Sequence, residues 1–293
     1  MRVLITGAGG QLGAALNATA QPDMTVRALP HAALDIADSA AVERVFADFQ
    51  PQLVINAAAF TAVDAAESQL EAARRVNSLG PAVLATACLR HAAWLIHVSS
   101  DYVFDGRQST AYAPAATAKP LNAYGATKLE GELAIARVCP GQSTVVRASW
   151  LYTATGRNFV NRMLGVMAER QQLRIVCDQI GAPTCGPGLA RVLWALGGLR
   201  VAGTYHWCDS GVASWYDFAV AIAEEGVALG LLKSLPDIVP VATEEYPTAA
   251  RRPAFSLLDK RETEKLLKLQ SLHWRTALRG VLCEVAATQA SPA

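Results

Sequence analysis

The sequence predicts an α/β fold: a doubly wound parallel sheet with a smaller α/β domain at its C-terminal end. Short β-branched apolar runs alternate with longer amphipathic segments over the first half of the chain, and a glycine-rich turn directly follows the first run. Repeated alternation of this kind is typical of right-handed βα units that share one parallel sheet. We expect residues 1–150 to form the first domain and residues 151–293 mainly the second, although segments within about 170–205 could return to the sheet.

The composition indicates a large core and no strongly charged partner. Hydrophobic residues make up 52% of the 293 residues and charged residues 17%, with a net charge of +1. Because the sequence has no basic stripe and no apolar stretch of about 20 residues, we expect neither a nucleic-acid nor a membrane partner. The six cysteines form no C-x-x-C pair, so we expect reduced thiols in a cytoplasmic protein.

The first predicted strand, residues 3–5, leads into the glycines Gly7, Gly10 and Gly13 and then into a helix. Glycine at such a turn permits a tight bend, close approach of the backbone to a pyrophosphate, and close packing of helix on strand. Amide groups at the start of the helix would then face the phosphates. The arrangement predicts a Rossmann-like, NAD(P)-binding first domain.

The second predicted strand, residues 25–29, ends without an acidic residue. A carboxylate at that position would bind the ribose hydroxyls of NAD and repel the 2′-phosphate of NADP. Its absence favours NADPH, and leaves acceptance of NADH open. Arg27 and His31 are the nearest candidate phosphate ligands, and either is as readily a surface residue. Asp35 could likewise contact the adenine, or it could be an ordinary loop residue.

The third and fourth predicted strands indicate where cofactor and substrate would meet. Residues 53–56 run into Ala57-Ala58-Ala59, whose small side chains would let a cofactor lie flat over the strand end. Residues 94–98 run into Ser99 and Ser100, where a hydroxyl can hydrogen-bond a substrate oxygen. Ligands collect at the carboxyl ends of strands in open α/β sheets, which favours this role over a hydroxyl satisfied at the strand end.

Tyr124 and Lys128 lie four residues apart in a helix predicted to end near Arg137. One helical turn separates them, so both side chains would share a face. A phenol ordinarily loses its proton near pH ~10, and a neighbouring ammonium is expected to lower that pKa. The pair would then exchange a proton with a carbonyl or alcohol oxygen. Because a lone Tyr-x-x-x-Lys is common by chance, this interpretation depends on the glycine turn and the strand-end serines.

The part of the chain beyond the fifth predicted strand, residues 143–147, is less informative. Trp150 could stack on a base, although an isolated tryptophan is more often a core residue. Arg251 and Arg252 could grip a diphosphate, or they could be solvated surface charges. We expect residues 151–293 to contribute mainly to substrate binding.

The order of these motifs resembles the extended short-chain dehydrogenase/reductase family over nearly the whole chain. The glycine turn, the Tyr124/Lys128 pair and several further strings carry the resemblance. Those strings are Asn56-Ala57-Ala58-Ala59 with Thr61, Val63, Asp64 and Glu67; Ser99-Ser100-Asp101-Tyr102-Val103-Phe104-Asp105-Gly106; Arg147-Ala148-Ser149-Trp150; Asp178-Gln179-Ile180-Gly181-Ala182-Pro183-Thr184; and Arg252-Pro253. Within that family the chain looks most like the branch that reduces the C4 ketone of dTDP-4-dehydro-L-rhamnose.

The resemblance implies a role for each matching residue. Ser100, Tyr124 and Lys128 would be catalytic, with Tyr124 as proton donor and Lys128 also holding the nicotinamide ribose. The implied dinucleotide-binding residues are Gly7, Gly10, Gln11, Leu12, Gly13, Asp35, Ile36, Ala57, Ala58, Ala59, Tyr124 and Lys128. The implied contacts of the dTDP-sugar are Thr61, Ser100, Asp101, Tyr102, Tyr124, Trp150 and Arg252.

One departure from the family pattern concerns quaternary structure. Some members form a magnesium-bridged dimer through glutamates, one of which lies on the helix after the glycine turn. The corresponding stretches here, residues 13–16 and 185–188, contain no carboxylate. We therefore expect no metal site, and a monomer or weak dimer without a metal bridge.

Two alternative functions share the fold that the resemblance implies. A nucleotide-sugar epimerase or dehydratase would retain a tightly bound NAD, and a regulatory subunit would bind NADP without catalysis. The complete set of Ser100, Tyr124 and Lys128 argues against a pure binding module, because such a module has no need of it.

Overall fold

The computed structural model describes residues 1–290 of the chain. Its strands are β1 (Arg2–Thr6), β2 (Thr25–Leu29), β3 (Leu53–Asn56), β4 (Trp94–Ser100), β5 (Ser143–Ala148), β6 (Leu151–Tyr152), β7 (Gln172–Val176), β8 (Ile180–Gly181), β9 (Thr184–Cys185), β10 (Gly203–Trp207), β11 (Ala213–Ser214) and β12 (Asp237–Val241). Its α-helices are α1 (Gln11–Ala18), α2 (Ser39–Phe49), α3 (Val63–Ser68), α4 (Leu70–Arg74), α5 (Gly80–Arg90), α6 (Ala123–Val138), α7 (Phe159–Glu169), α8 (Gly186–Leu199), α9 (Trp215–Ala228), α10 (Arg261–Leu267) and α11 (Trp274–Ala290). Across the described residues, none of these helices has both the length and the apolar character needed to cross a membrane.

Six parallel strands form the central sheet, in the order β2-β1-β3-β4-β5-β10. The register aligns their carboxyl ends, since Thr6 of β1 pairs with Asn56 of β3, and Asn56 pairs with His97 of β4. This topology confirms the predicted doubly wound α/β fold. Strand β10 is missing from the sequence prediction, because its run Tyr205-His206-Trp207 lies in a region of short mixed elements.

Alternate residues of β1 face two separate hydrophobic layers. Val3 and Ile5 pack with residues of α1 and α8 on one face of the sheet, whereas Leu4 packs with residues of α2 and α5 on the other. Both faces are therefore covered by helices. This explains why the strands read as nearly continuous apolar runs in the sequence.

A second hydrophobic core lies among α7, α9 and α11. Phe218 on α9 is fully buried there and contacts the rings of Tyr152 and Trp274. Strands β7 and β12 pair in parallel, and Leu173 of β7 belongs to the same core. The chain returns to the central sheet through α8 and β10, between these elements. The assignment of residues 151–293 to a substrate-binding domain stays a prediction.

The helical segment after β3 extends to Arg90, close to the bound of about His91 that the sequence predicts, but it is not α-helical throughout. A π-helical turn, Arg75–Leu79, separates α4 from α5. Its residue Asn77 accepts a hydrogen bond from the Phe60 amide at 2.9 Å and donates to the Phe60 carbonyl at 3.1 Å. The widened turn thus fixes the loop that follows β3, in line with the frequent occurrence of such turns near functional sites.

Candidate active site

The turn after β1 is packed too closely for any residue but glycine at two positions. Gly7 has a φ of +72°, and a Cβ there would lie 2.5 Å from the Ala58 nitrogen. A Cβ at Gly13 would overlap the carbonyl oxygen of Gly7. Glycine therefore keeps the turn, α1 and the Ala57–Ala59 segment together at the carboxyl edge of the sheet.

Helix α1 begins with backbone amides that no described side chain caps, and the Gln11 side chain extends from this start toward the segment between β6 and α7. Gly10 is its N-cap, and within residues 1–290 no side chain caps the helix there. A helix start of this kind favours an anion. The Gln11 side chain accepts hydrogen bonds from Thr153 at 3.0 Å and Asn158 at 2.7 Å, and donates to the Arg157 carbonyl at 3.2 Å. The turn is thereby tied to the segment between β6 and α7.

Three further predicted cofactor contacts have internal partners. Leu12 and Ile36 are only 5% and 3% exposed, so a role at a ligand would involve their backbone. The Asp35 carboxylate accepts hydrogen bonds from the Ala37 amide at 2.9 Å and from Arg75 at 2.7 Å. These bonds hold the pKa of Asp35 below its ordinary value, the Ala37 amide most of all.

The Ala57–Ala59 segment is held from beneath by a buried amide. Asn56 Oδ1 accepts from the Thr6 hydroxyl at 2.8 Å and from the Ala58 amide at 3.1 Å. Because a backbone N–H can only donate, this contact fixes which end of the amide is the oxygen. Thr61, a predicted substrate contact, lies exposed just before α3.

A buried histidine lies between Asn56 and Lys128. Its Nδ1 is 3.0 Å from Asn56 Nδ2, and its Nε2 is 3.4 Å from Lys128 Nζ. Since the Asn56 NH₂ group can only donate, His97 Nδ1 is an acceptor and the neutral ring carries its proton on Nε2. His97 therefore offers no lone pair to Lys128, which donates to the Val98 carbonyl at 2.7 Å instead.

Burial lowers the pKa of Lys128 to about 8, against the raising effect of the Glu132 charge. Glu132 itself forms a buried ion pair with Arg147 at 2.7 Å. Burial, and next the charge of Lys128, hold the pKa of His97 well below its ordinary value. At neutral pH the site therefore contains a mostly protonated Lys128 beside a neutral imidazole.

The start of α6 packs directly on the turn that follows β4. Asn122 caps the helix by accepting from the Gly125 amide at 2.8 Å, and it donates to the Arg251 carbonyl at 2.8 Å. A Cβ at Gly125 would overlap the carbonyl oxygen of Tyr102. The rings of Tyr102 and Tyr124 meet edge to face, with centroids 5.7 Å apart. This packing brings Tyr124 to the end of β4.

Burial raises the pKa of Tyr124 to about 12, although hydrogen bonding with the Ser100 side chain acts in the opposite direction. The charge of Asp101 adds to the rise. The sequence-based expectation that Lys128 lowers this pKa is wrong for this structure. Its ammonium is turned toward the Val98 carbonyl, and it is not among the described groups that act on the phenol.

Ser100 lies in a short chain of buried hydrogen bonds. It donates to Asp101 Oδ1 at 3.0 Å and accepts from the Tyr102 amide at 3.1 Å, while Ser256 donates to Asp101 Oδ2 at 2.6 Å. Burial raises the pKa of Asp101 to about 6, although both serine hydrogen bonds lower it. The neighbouring Ser99 hydroxyl is buried and has no hydrogen-bond partner among residues 1–290.

The two predicted sugar-nucleotide contacts beyond residue 149 both have partners within the protein. Trp150 has a φ of 48° and stacks on Trp215, with ring centroids 3.7 Å apart and planes 11° from parallel. Both nitrogens of the Arg252 fork bond the Asp64 carboxylate, at 2.7 and 3.1 Å. Burial raises the pKa of Tyr102 overall, although the charge of Arg252 acts to lower it.

Nearly the whole chain matches known proteins. Residues 1–287 match the family model described as the RmlD substrate binding domain. The dTDP-4-dehydrorhamnose reductase of Aggregatibacter actinomycetemcomitans is 39% identical over 288 residues, which cover 96% of this chain and 98% of that relative. The chain belongs to the dTDP-4-dehydrorhamnose reductase family. The resemblance drawn from its motifs is therefore confirmed.

Solved structures of the dTDP-4-dehydrorhamnose reductase family share the whole architecture. The reductase of Clostridium acetobutylicum superposes with a TM-score of 0.91 at 36% identity, covering 97% of this chain and 99% of its own. The reductase of Bacillus anthracis, solved in complex with NADP, gives a TM-score of 0.89 at 34% identity, with coverage of 97% and 99%. This NADP complex agrees with the predicted cofactor. The chain is thus an NAD(P)H-dependent oxidoreductase, as the sequence predicted.

Sequence reasoning missed three residues that organise the site in this member of the dTDP-4-dehydrorhamnose reductase family. His97 is a polar residue inside the apolar run Leu95-Ile96-His97-Val98, which indicates that its side chain has a specific partner. Asn56 gives a similar indication, because it is the polar residue that ends an apolar strand. Ser256 gave no sign, because it lies 155 residues from Asp101, the residue it bonds.

Proposed function

We propose that this protein reduces the C4 ketone of dTDP-4-dehydro-L-rhamnose to dTDP-L-rhamnose, with NADPH as hydride donor and Tyr124 as proton donor. The observation that carries the proposal is the convergence of Ser100, Tyr124 and Lys128 at the carboxyl end of β4. The Tyr124 phenol interacts with Ser100, and Lys128 Nζ bonds the carbonyl of Val98, two residues before Ser100. The names of the relatives support the choice of substrate.

The glycine turn supports NADPH as the cofactor. A Cβ at Gly7 would approach the Ala58 nitrogen to 2.5 Å, so only glycine leaves the backbone close to the uncapped start of α1. When bound, NADPH supplies the hydride. The residues that would hold it are Gly7, Gly10, Gln11, Leu12, Gly13, Asp35, Ile36, Ala57, Ala58, Ala59, Tyr124 and Lys128.

The preference for NADPH over NADH stays a prediction, and of the two candidate phosphate ligands only His31 now supports it. Arg27 forms an ion pair with Asp48, and its guanidinium lies 4.4 Å from the centroid of the Phe49 ring. Its charge is therefore already engaged. His31 is exposed beyond the end of β2, and it is the better placed of the two candidates for a 2′-phosphate.

Tyr124 would enter the reaction as a protonated phenol. A pKa of about 12 keeps its proton in place at neutral pH, so the residue can deliver it to the alkoxide that forms at C4. Ser100 would donate a second hydrogen bond to the same oxygen. The ammonium of Lys128 would hold the nicotinamide ribose beside the phenol.

The proposed contacts of the dTDP-sugar include residues at this oxygen and residues for the nucleotide part. They are Thr61, Ser100, Asp101, Tyr102, Tyr124, Trp150 and Arg252. The stacked rings of Trp150 and Trp215 are half-buried, so they provide an aromatic wall suited to a base. Arg252, held by Asp64, would bring a fixed positive charge toward the diphosphate.

The decisive experiment is a spectrophotometric assay of NADPH oxidation by the purified protein with dTDP-4-dehydro-L-rhamnose. Tyr124→Phe keeps the ring but lacks the proton, so we expect kcat to fall at least about 10²-fold while NADPH still binds. Tyr205→Phe removes a phenol that bonds only weakly to the Ala202 carbonyl, at 3.5 Å, and should leave kcat unchanged.

Two outcomes would contradict the proposal. Full turnover by Tyr124→Phe would exclude this residue as the proton donor. A wild-type protein that oxidises no NADPH, but releases stoichiometric NAD on denaturation, would instead be an epimerase or dehydratase with a retained cofactor.

A further inference from the structure

A serine far along the chain completes the hydrogen bonding of Asp101. Ser256 is 2% exposed, and its backbone amide donates to the Ile180 carbonyl at 2.8 Å. Its hydroxyl donates to Asp101 Oδ2 at 2.6 Å. Across residues 1–290, Asp101 is the one acceptor that this hydroxyl reaches. The hydroxyl proton of Ser256 therefore points toward Oδ2.

The proton of Ser100 is committed while Asp101 is ionised. A serine hydroxyl has one proton to donate and two lone pairs that accept. Ser100 accepts from the Tyr102 amide at 3.1 Å and interacts with the Tyr124 phenol, and it donates to Asp101 Oδ1 at 3.0 Å. Because an ionised carboxylate only accepts, Ser100 then has no proton left for a substrate oxygen.

A neutral Asp101 changes the direction of that bond. With the acid proton on Oδ1, Asp101 donates to Ser100, and the Ser100 proton becomes available to a substrate oxygen. With the acid proton on Oδ2, Ser256 could accept it only by turning its own proton away from the one acceptor that it reaches. The Ser256 hydroxyl thus disfavours Oδ2 and leaves Oδ1 as the site of protonation.

We propose that Ser256 is a positioning residue that directs the proton of Asp101 to the oxygen facing Ser100, so that Ser100 can donate to the substrate ketone. The catalytic part of this proposal rests on the proposed reductase function. Asp101 acts through Ser100 in this arrangement, in addition to its proposed contact with the dTDP-sugar, since each of its carboxylate oxygens faces a serine.

Asp101 is the group of this cluster that changes charge near neutral pH. The titratable groups that face it are Tyr124 on α6, Tyr102 beside it in sequence, and Cys208 after β10. Burial raises the pKa of Tyr124 and of Cys208 to about 12 each, and that of Tyr102 further still. All three stay neutral while Asp101, with a pKa of about 6, loses its proton as the pH rises.

Two measurements test the proposal: the pH profile of kcat, and a ¹³C NMR titration of the aspartate carboxyl carbons. In the wild type, kcat should fall as the pH rises through about 6, together with the Asp101 titration. In Ser256→Ala the low-pH plateau of kcat should fall about tenfold, with little change in KM. The Asp101 midpoint should move upward, because the carboxylate loses a hydrogen bond.

Three further variants make the comparison specific. Ser256→Thr keeps the hydroxyl and should restore both readouts. Ser143→Ala removes another buried serine hydroxyl, one that donates to the Cys139 carbonyl at 2.9 Å, and should change neither. Asp101→Asn identifies the carboxyl resonance. Should Ser256→Ala not fold, Ser256→Cys gives the same comparison with a much weaker donor.

The outcomes separate this proposal from the proposed function. An unchanged kcat plateau or an unchanged Asp101 midpoint in folded Ser256→Ala would overturn the role of Ser256. If the wild type fails to oxidise NADPH with the sugar nucleotide, the proposed function fails. The NMR titration still decides in that case whether Ser256 acts on Asp101.

Discussion

The hydrogen bonding of Lys128 depends on the orientation of a single buried amide. The Ala58 amide holds the Asn56 oxygen, so Asn56 presents its NH₂ group to His97 and fixes the proton of that ring on Nε2. Lys128 is left with the Val98 carbonyl as its close acceptor. A residue at the end of β3 therefore influences the hydrogen bonding of the ammonium that would hold the nicotinamide ribose.

The first prediction at the scale of residues concerns this amide. Burial lowers the pKa of Lys128 to about 8, so the ammonium is lost as the pH rises through that value. The kcat should then fall a second time, above the step that accompanies Asp101 near pH 6. In Asn56→Asp the carboxylate accepts a hydrogen bond from His97 Nδ1, so His97 Nε2 has a lone pair that can accept from the Lys128 ammonium. The negative charge of the new carboxylate also stabilises the ammonium. The alkaline midpoint of kcat should move upward by about one pH unit.

Thr6→Val is the matched control for that experiment. It removes a second donor to the same Asn56 oxygen, but the Ala58 amide still fixes the orientation of the amide. The alkaline midpoint should therefore stay in place. A shift as large in Thr6→Val as in Asn56→Asp would show that the tautomer of His97 does not set the midpoint.

The sequence predicted the residues of the site better than their contacts. Tyr124 and Lys128 share α6, as their spacing requires, and Ser100 ends β4 beside them. The direction of the Lys128 ammonium was not predictable, because its acceptor lies 30 residues away on another strand. Local spacing places a side chain on a helix face, but only tertiary packing decides which atom it meets.

At the scale of elements, the turn between β1 and α1 depends most on its exact residues. A side chain at Gly7 would require a left-handed backbone and would also meet the Ala58 nitrogen at 2.5 Å. The turn, α1 and the loop after β3 would have to move together. We conclude that the geometry of the proposed cofactor site is set by packing between these elements.

Gly7→Ala tests this dependence. We expect NADPH affinity to fall at least about tenfold, equivalent to about 1.4 kcal/mol, because the strained turn moves the amides of α1. Gly9→Ala is the control within the same turn, since a Cβ there would lie 3.4 Å from the nearest atom of Pro30. Equal affinity in the two variants, measured by calorimetry, would contradict the prediction.

The features that the sequence did not predict share one cause. The π-helical turn Arg75–Leu79 is held by the contacts of Asn77 with the Phe60 backbone, and β10 is held by pairing with β5. Neither partner is close in sequence. The strands and helices that hydrophobic periodicity alone specifies, such as β1, β3 and α6, were predicted within a few residues of their observed bounds.

At the scale of the whole molecule, a buried acid connects the end of β10 with the start of α8. Asp209 is 3% exposed and lies after β10, where it accepts from the Cys185 amide at the start of α8 at 3.0 Å. Burial raises its pKa to about 7, although the Cys185 hydrogen bond lowers it. The folded state therefore binds the Asp209 proton more tightly than the unfolded chain does.

The sign of the effect on stability follows from this difference. The stabilising contribution of Asp209 is complete below about pH 4 and is lost as the pH rises through about 7. Asp209→Asn cannot ionise, so its free energy of unfolding relative to wild type should rise between pH 5 and pH 8. Urea unfolding at the two pH values measures this difference. A constant difference would contradict it, and exposed Asp23→Asn serves as the control.

The quaternary structure provides the last prediction. Among residues 1–290, no group of three or more His, Cys, Asp and Glu side chains is arranged to hold a metal ion. We expect a monomer or a weak dimer whose mass, measured by light scattering, is the same with and without EDTA. A dimer that dissociates on chelation would contradict this expectation.

Trp150 occupies a left-handed backbone conformation that glycine adopts freely, and its ring is stacked on Trp215. Glycine at this position would relax the main chain at the same time as it removes the indole, whereas other residues would keep the left-handed strain. Trp150→Gly therefore opens the proposed ligand-facing wall without backbone strain. For efforts to retarget the enzyme, glycine is the replacement that this backbone conformation favours.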